Sequence, residues 1–314
     1  MDNFIFSLNA TVPIFVVIFV GWLLKQKGML TEEFVNVSNK FCFKIALPIL
    51  LLRDISSAKI KEEFNLTFVL YCAIVTTICF FAIWIFAEIF VKEKESIGAF
   101  VQASYRGSAA VLGIAFILNI YSDVGMAPMM IVSAVPLYNI YAVIILSLKG
   151  EGAKADKKQL KATFLNICKN PIILGILAGL ILSLLEVDFP VIVDKTLSNF
   201  SALSTPLALL SIGAGFNHKK ALAKVKYVVM SSVIKLVLQP AIFLPLAVML
   251  GLREKELVAV IIMLGSPTTA SCYIMAKNMN NDADLTAGSI LVSTLFSTFT
   301  ITFWIYLAKS MGYI

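Results

Sequence analysis

Charge is scarce in this sequence, and it avoids the long apolar runs. Only 14% of the 314 residues are charged, 59% are hydrophobic, and mean hydropathy is +0.90. A water-soluble domain must cover its exterior with polar groups, so these values exclude one and indicate a polytopic membrane protein. Histidine is nearly absent: the single His218 lies beside Lys219 and Lys220 and reads as a solvated interfacial residue. No Ser/His/Asp or metal-ligand constellation accompanies it, so enzyme chemistry lacks its usual carriers and no cofactor or metal is implied. The five cysteines (Cys42, Cys72, Cys79, Cys168 and Cys272) have neither paired nor metal-ligand spacing, and most read as small packing residues. Carboxylates are missing from the middles of the apolar runs, with Glu88 and Asp194 near run ends. A cation carrier would need buried acids, so their absence favours an anionic cargo.

What is present is a series of apolar segments. Ten can be drawn, at roughly 5–24, 36–52, 65–91, 96–121, 125–148, 171–186, 190–216, 227–251, 256–279 and 285–308. The first has Asp2, no basic leader and no small-residue cleavage site, so it reads as a span rather than a signal peptide. Of the 26 basic residues, sixteen fall in the odd-numbered loops and seven in the even-numbered loops and termini; Lys44, Arg106 and Lys235 lie within spans. This bias puts the odd loops in the cytoplasm and both termini outside the cell membrane. The net charge of +7 does not indicate nucleic acid, because the lysines cluster at span ends, where they set topology and meet anionic lipid.

The lysine-rich stretch 149–170 divides the chain into residues 1–148 and 171–314, each with five spans. Pro13, Gly21 and Pro48 of the first half align with Pro171, Gly179 and Pro206 of the second at one offset, 158. The cluster Lys92-Glu93-Lys94-Glu95 aligns with Arg253-Glu254-Lys255-Glu256 at an offset of 161, and Ser108 then falls on Thr269. An odd number of spans inverts the second half relative to the first. The predicted fold is an all-α membrane protein of ten transmembrane helices in two inverted five-helix repeats, with a cytoplasmic basic loop between them.

Both charge clusters open runs that are interrupted at the same depth, at Tyr105-Arg106-Gly107-Ser108 and Gly265-Ser266-Pro267-Thr268-Thr269. The residues between cluster and interruption cover about 16 Å as helix, half of a hydrocarbon core about 30 Å thick. A break there survives only inside protein or against a cavity, and a matched pair of breaks marks a transporter's substrate site. Helices four and nine are therefore expected to be broken and crossed near the membrane centre. Arg106 either caps freed carbonyls or attracts an anion, and both roles are compatible. Gly107 allows close backbone approach, Ser108, Thr268, Thr269 and Ser271 supply hydroxyls, and Pro267 frees a carbonyl one turn earlier. The hydroxyls can contact ligand or bond back to the preceding turn. The half-helices that restart after the breaks would aim their amides at an anion. Asn139, in a polar notch with Pro136 and Tyr138, can reach the crossing or bond a neighbouring helix. Lys235, near the centre of the eighth span, is a candidate for a coupling or charge role.

Taken in order, Pro13 with Gly21-Trp22-Leu23-Leu24, Ala46-Leu47-Pro48, Arg106-Gly107-Ser108 to Gly113, Pro206 with Leu207 to Gly213, Leu238-Gln239-Pro240, Ser266-Pro267-Thr268-Thr269-Ala270 and Ser293-Thr294-Leu295 give the chain its kinship. The sequence resembles the auxin efflux carrier family, whose bacterial members include malate and other organic-acid permeases. The resemblance implies a scaffold of helices 1, 2, 6 and 7, a moving transport part of helices 3, 4, 5, 8, 9 and 10, elevator-like alternating access, a homodimer and a small organic anion as substrate. It also implies a break in the fourth helix supported by Gly107 and Gly113. The family pattern has Asn where this chain has Ser108 and Pro where it has Ala115. Alternatives are a sodium- or proton-coupled symporter of the bile-acid-carrier type, with hydroxyls and carbonyls as ion ligands, and a receptor that binds without carrying.

Overall fold

The computed structural model describes residues 2–57, 65–109, 117, 125–150, 165–216 and 222–314. Gly113, Ala115, His218, Lys219, Lys220 and most of the basic loop lie outside them. The described chain is all-helical, without strands: α1 (Asp2–Gln26), α2 (Glu32–Ser56), α3 (Leu66–Phe90), α4 (Ile97–Tyr105), α5 (Ala127–Lys149), α6 (Pro171–Leu184), α7 (Val191–Gly215), α8 (Val225–Met249), α9 (Glu254–Gly265), α10 (Ser271–Asn278) and α11 (Ala283–Ser310). Six of these, α2, α3, α5, α7, α8 and α11, are long and apolar enough to cross a bilayer. The second apolar segment, expected at 36–52, extends to Ser56 as α2.

Helix starts follow from local chemistry. The first amides of a helix have no intrahelical acceptor, and short polar side chains supply one. Thr31 accepts from Phe34 N at 3.1 Å, Asn65 from Phe68 N at 3.1 Å, Asn170 from Ile172 N at 2.9 Å and Asp282 from Leu285 N at 2.9 Å.

Prolines account for the irregularities within the helices. A proline has no N–H and its ring crowds the carbonyl four residues earlier. The backbone of α2 widens into a π turn at Cys42–Ala46 just before Pro48, and α8 does so at Ile234–Leu238 just before Pro240. In α8 the carbonyl that Pro240 leaves without its helical donor belongs to Leu236, and Trp304 of α11 fills the vacancy with Nε1 at 3.0 Å. In α7 the helix is interrupted at Leu203, three residues before Pro206.

Packing separates an outer shell from an inner group. On α3, Ile74, Ile78, Phe81, Ile85 and Ile89 form an exposed stripe, the surface expected to face lipid. All of α4 and the stretch Leu257–Gly265 of α9 are buried, so these shorter helices are enclosed by the longer ones. Close helix pairs in a membrane rely on small residues. Gly21 of α1 lies on the Leu210 carbonyl of α7, where a Cβ would stand 2.5 Å from the oxygen; Gly179 of α6 lies on the Leu52 carbonyl of α2, at 2.8 Å. The two contacts are related by the offset of 158 at both partners (21 to 179, 52 to 210). Gly213 of α7 packs still closer on Ile18 of α1.

At one end of the bundle, Lys224 pairs with Glu93 and with Asp282 (3.4 Å) and donates to Ser96 at 3.0 Å, joining the starts of α8, α4 and α11. Burial pulls the Lys224 ammonium toward neutrality, and its hydrogen bond with Glu93 and the nearby Asp282 carboxylate outweigh that, raising its proton affinity above that of an ordinary lysine.

Gly213→Val is expected to destabilise the protein by about 1–3 kcal/mol, since the added methyl groups must displace the Ile18 backbone. Thermal unfolding in detergent should register a lower midpoint than wild type, and an unchanged midpoint would contradict the packing described.

Candidate functional site

Helix α4 ends at Tyr105 and the chain turns extended at Arg106 (φ −99°, ψ 141°). Helix α9 ends at Gly265 and the chain turns extended at Ser266 (φ −67°, ψ 149°). The two stretches meet: Ser108 N donates to Pro267 O at 2.8 Å. After the second interruption, α10 begins at Ser271.

Each helix end leaves carbonyls without their helical donors, and burial makes that costly. Side chains from neighbouring helices fill the gap. For α4, Thr268 Oγ1 donates to Ala103 O at 2.8 Å and Gln239 Nε2 to Ser104 O at 2.5 Å. For α9, Lys235 Nζ donates to Met263 O at 3.0 Å and Leu264 O at 2.8 Å, while Tyr138 Oη reaches Met263 O at 3.2 Å. Lys235 is fully buried, and its ammonium meets the negative end of the α9 dipole. Its stem passes beneath Gly107, where a Cβ would stand 2.9 Å from Lys235 Cε and clash with Ser266 Oγ. Glycine at 107 is therefore a requirement of close approach.

Arg106 is only 2% exposed. Its guanidinium donates to Ser271 Oγ at 2.8 Å and Asn139 Oδ1 at 3.0 Å and lies 3.0 Å from Met275 Sδ. Its Nε has no partner. Asn139 is held for this by its own amide, which donates to Val135 O at 2.9 Å. All these acceptors are neutral, and no carboxylate pairs with Arg106 among the described residues.

Two adjoining cavities share Ser108, Thr205, Thr269 and Ala270 as walls. The first, about 60 Å³, is also bounded by Arg106, Gly107, Asn139 and Ser271, and by Leu47, Leu50, Leu51 and Asp54 of α2. The second, about 120 Å³, is bounded by Pro267 and Thr268 together with Ile14 of α1, Leu209 of α7 and Ile290 and Thr294 of α11. Both lie where α1, α2 and α7 face the inner helices. The fold thus gathers Arg106, Gly107, Ser108, Asn139, Pro267, Thr268, Thr269 and Ser271 around this pair of adjoining cavities. Lys235 stands behind it, on the α9 carbonyls, and Gly113 is outside the described residues.

A family described as "Membrane transport protein" matches residues 6–305. The chain belongs to this family, that of the auxin efflux carriers. Among its relatives are an uncharacterized transporter of Methanocaldococcus jannaschii, 23% identical with 95% of this chain and 97% of the relative covered, and the uncharacterized transporter YfdV of Escherichia coli, 25% identical over 97% and 98%. A third, named "Putative malonate transporter", is from Rhizobium meliloti, 23% identical over 95% and 94%. The protein is a multi-pass membrane transporter of this family.

Three polar cavity residues, Asp54, Ser204 and Thr205, lie outside those that the sequence singles out. Asp54 falls outside an apolar segment drawn to end at 52, although Leu47, Leu50, Leu51 and Asp54 follow the spacing of a single helix face. Ser204 and Thr205 immediately precede Pro206, the partner of Pro48 at the 158 offset, and this was the available signal.

Thr268→Val removes the hydroxyl that satisfies Ala103 O while keeping its shape. The expected loss is about 1–3 kcal/mol, the cost of leaving a buried carbonyl unpaired. Chemical or thermal unfolding against the half-buried control Thr300→Val, whose hydroxyl bonds only within its own helix, should reveal it; equal stability of the two variants would refute the capping role.

Proposed function

We propose that this chain is a secondary transporter of small organic anions, carboxylates above all, which bind beside Arg106 between the two interrupted helices. The observation that carries this reading is a buried guanidinium lining a cavity with only neutral partners and its Nε–H left without any. A buried cation costs several kcal/mol unless an anion, dipoles or water compensate it. A carboxylate entering the cavity would supply the missing charge and accept from Nε. Ser108, Thr269 and Ser271 would add hydroxyl donors, and the positive end of the α10 dipole would add its field, Cys272 N and Tyr273 N being already bonded to Thr269 O and Ala270 O. A relative named for malonate transport supports the choice of anion class.

In this reading the chain consists of ten spans in two inverted repeats. The paired contacts Gly21–Leu210 and Gly179–Leu52 at one offset, the proline-linked irregularities before Pro48 and Pro206, and the hydrogen bond between the two interruptions support it. Helices four and nine are then the broken, crossed pair. Residues 1–148 form one repeat, 149–170 a cytoplasmic loop and 171–314 the other, and both termini lie outside. The first, second, sixth and seventh spans form the scaffold. The remaining six carry the substrate past it in an elevator-like motion, and the protein works as a homodimer. Lys235 contributes positive potential from behind the site while it holds the end of α9.

Reconstituted in liposomes, the wild-type protein should take up radiolabelled malonate or another small carboxylate with saturation. Arg106→Ala should weaken binding by about 10–100-fold, the worth of a hydrogen-bonded charge pair in a buried site, and Arg106→Lys should recover only part of it. Undiminished uptake by Arg106→Ala would remove the basis of the proposal.

A further inference from the structure

The cavity at Arg106 holds a second charge. Asp54, in the last turn of α2, lines the same space, at the end of the face formed by Leu47, Leu50 and Leu51. No cation lies within ion-pair distance of its carboxylate among the described residues. The guanidinium next to it in sequence, Arg53, is turned aside to Asp194 of α7, Nε to Oδ1 at 3.0 Å. Lys195, one residue beyond Asp194, is exposed. Helix α6, which packs along α2, carries no charged residue, and α5 brings only the neutral Val135, Tyr138 and Asn139 to the cavity. Among the described residues, the charges that line the cavity are therefore Arg106 and Asp54, neither with a partner at ion-pair distance, although the neighbouring Arg53 still acts on Asp54 through its charge.

Charge balance turns this into mechanism. Without substrate, the two charges that line the cavity, guanidinium and carboxylate, cancel, while Lys235 is held on the α9 carbonyls behind it. An anion bound to Arg106 makes it negative, next to a carboxylate already there, in surroundings of low dielectric where like charges repel strongly. A proton on Asp54 removes that repulsion. Resting on the anion-transport reading, we infer that Asp54 is the proton-binding residue of anion–proton cotransport. A proton from the side where the anion enters binds a carboxylate oxygen of Asp54 as the anion loads. It leaves to solution on the other side with the anion, and no bond in the substrate is made or broken.

The test is paired flux in proteoliposomes carrying a trapped pH indicator, with malonate, succinate, malate and lactate as probes. Wild type should bring in protons with the anion, and one coupled proton across a gradient of one pH unit should raise accumulation by up to about tenfold. In Asp54→Asn the proton-to-anion ratio should fall to background, and Asp54→Glu should restore it. A merely structural role would lower both fluxes in proportion. If Asp54→Asn moves no anion, thermal protection by malonate is read instead between about pH 6.5 and 8.5, where malonate itself stays ionised. Wild-type protection should strengthen as pH falls, and that of Asp54→Asn should stay flat. Anion uptake by wild type without protons, a retained ratio in Asp54→Asn, or parallel pH profiles would overturn the inference while leaving anion transport standing. Transport of none of the four probes by wild type would overturn the anion-transport reading and this inference with it.

Discussion

The requirement that every backbone polar group be satisfied inside a lipid-clad protein organises this structure. Helices α4 and α9 both stop in the buried interior, where water cannot reach their last carbonyls. The chain answers with donors drawn from other helices: Thr268 and Gln239 for one end, Lys235 and Tyr138 for the other. Each donor is useful only at one position, so the two ends fix where the loop after α9 and helices α5 and α8 must stand. A different arrangement would leave buried carbonyls exposed to hydrocarbon, at a cost of several kcal/mol each.

The same economy makes the space between the interruptions chemically distinctive. Carbonyls are claimed by caps, while the guanidinium of Arg106 and the hydroxyls at the start of α10 are turned toward the cavity. The proposed anion site is in this sense the remainder left when the helix ends have been satisfied. Gly107 and Lys235 illustrate the tightness involved, since the lysine stem runs where any side chain at 107 would be.

Packing between the long helices relies on a different device. Without water to drive apolar surfaces together, glycines let backbones approach until dispersion contacts suffice. Gly21, Gly175, Gly179 and Gly213 serve the contacts of α1 with α7 and of α6 with α2. Prolines act alongside them: the π turns before Pro48 and Pro240 and the interruption before Pro206 re-aim three helices near the inner group. Trp304, reaching the freed Leu236 carbonyl, is the kind of compensation that such a bend requires.

The sequence by itself determined that the protein is helical and membrane-embedded, because apolar runs of span length admit no other satisfied backbone. It also placed the two buried helix ends, just before Arg106 and Ser266, since proline, glycine and clustered hydroxyls inside an apolar run are local signals. Eight of the residues around the two cavities were legible in it, and all of these but Asn139 are adjacent to those helix ends. Only the tertiary structure decided which groups cap and which face the cavity. Lys235 read as a charge near the centre of a span, and its partners, Met263 O and Leu264 O, are nearly thirty residues away. Asp54 read as a residue beyond the end of a span, and its place opposite the interruptions depends on how α2 packs against the inner helices. Local chemistry is written in neighbouring residues, whereas the pairing of a buried charge is settled by whichever distant backbone the folded chain brings to it.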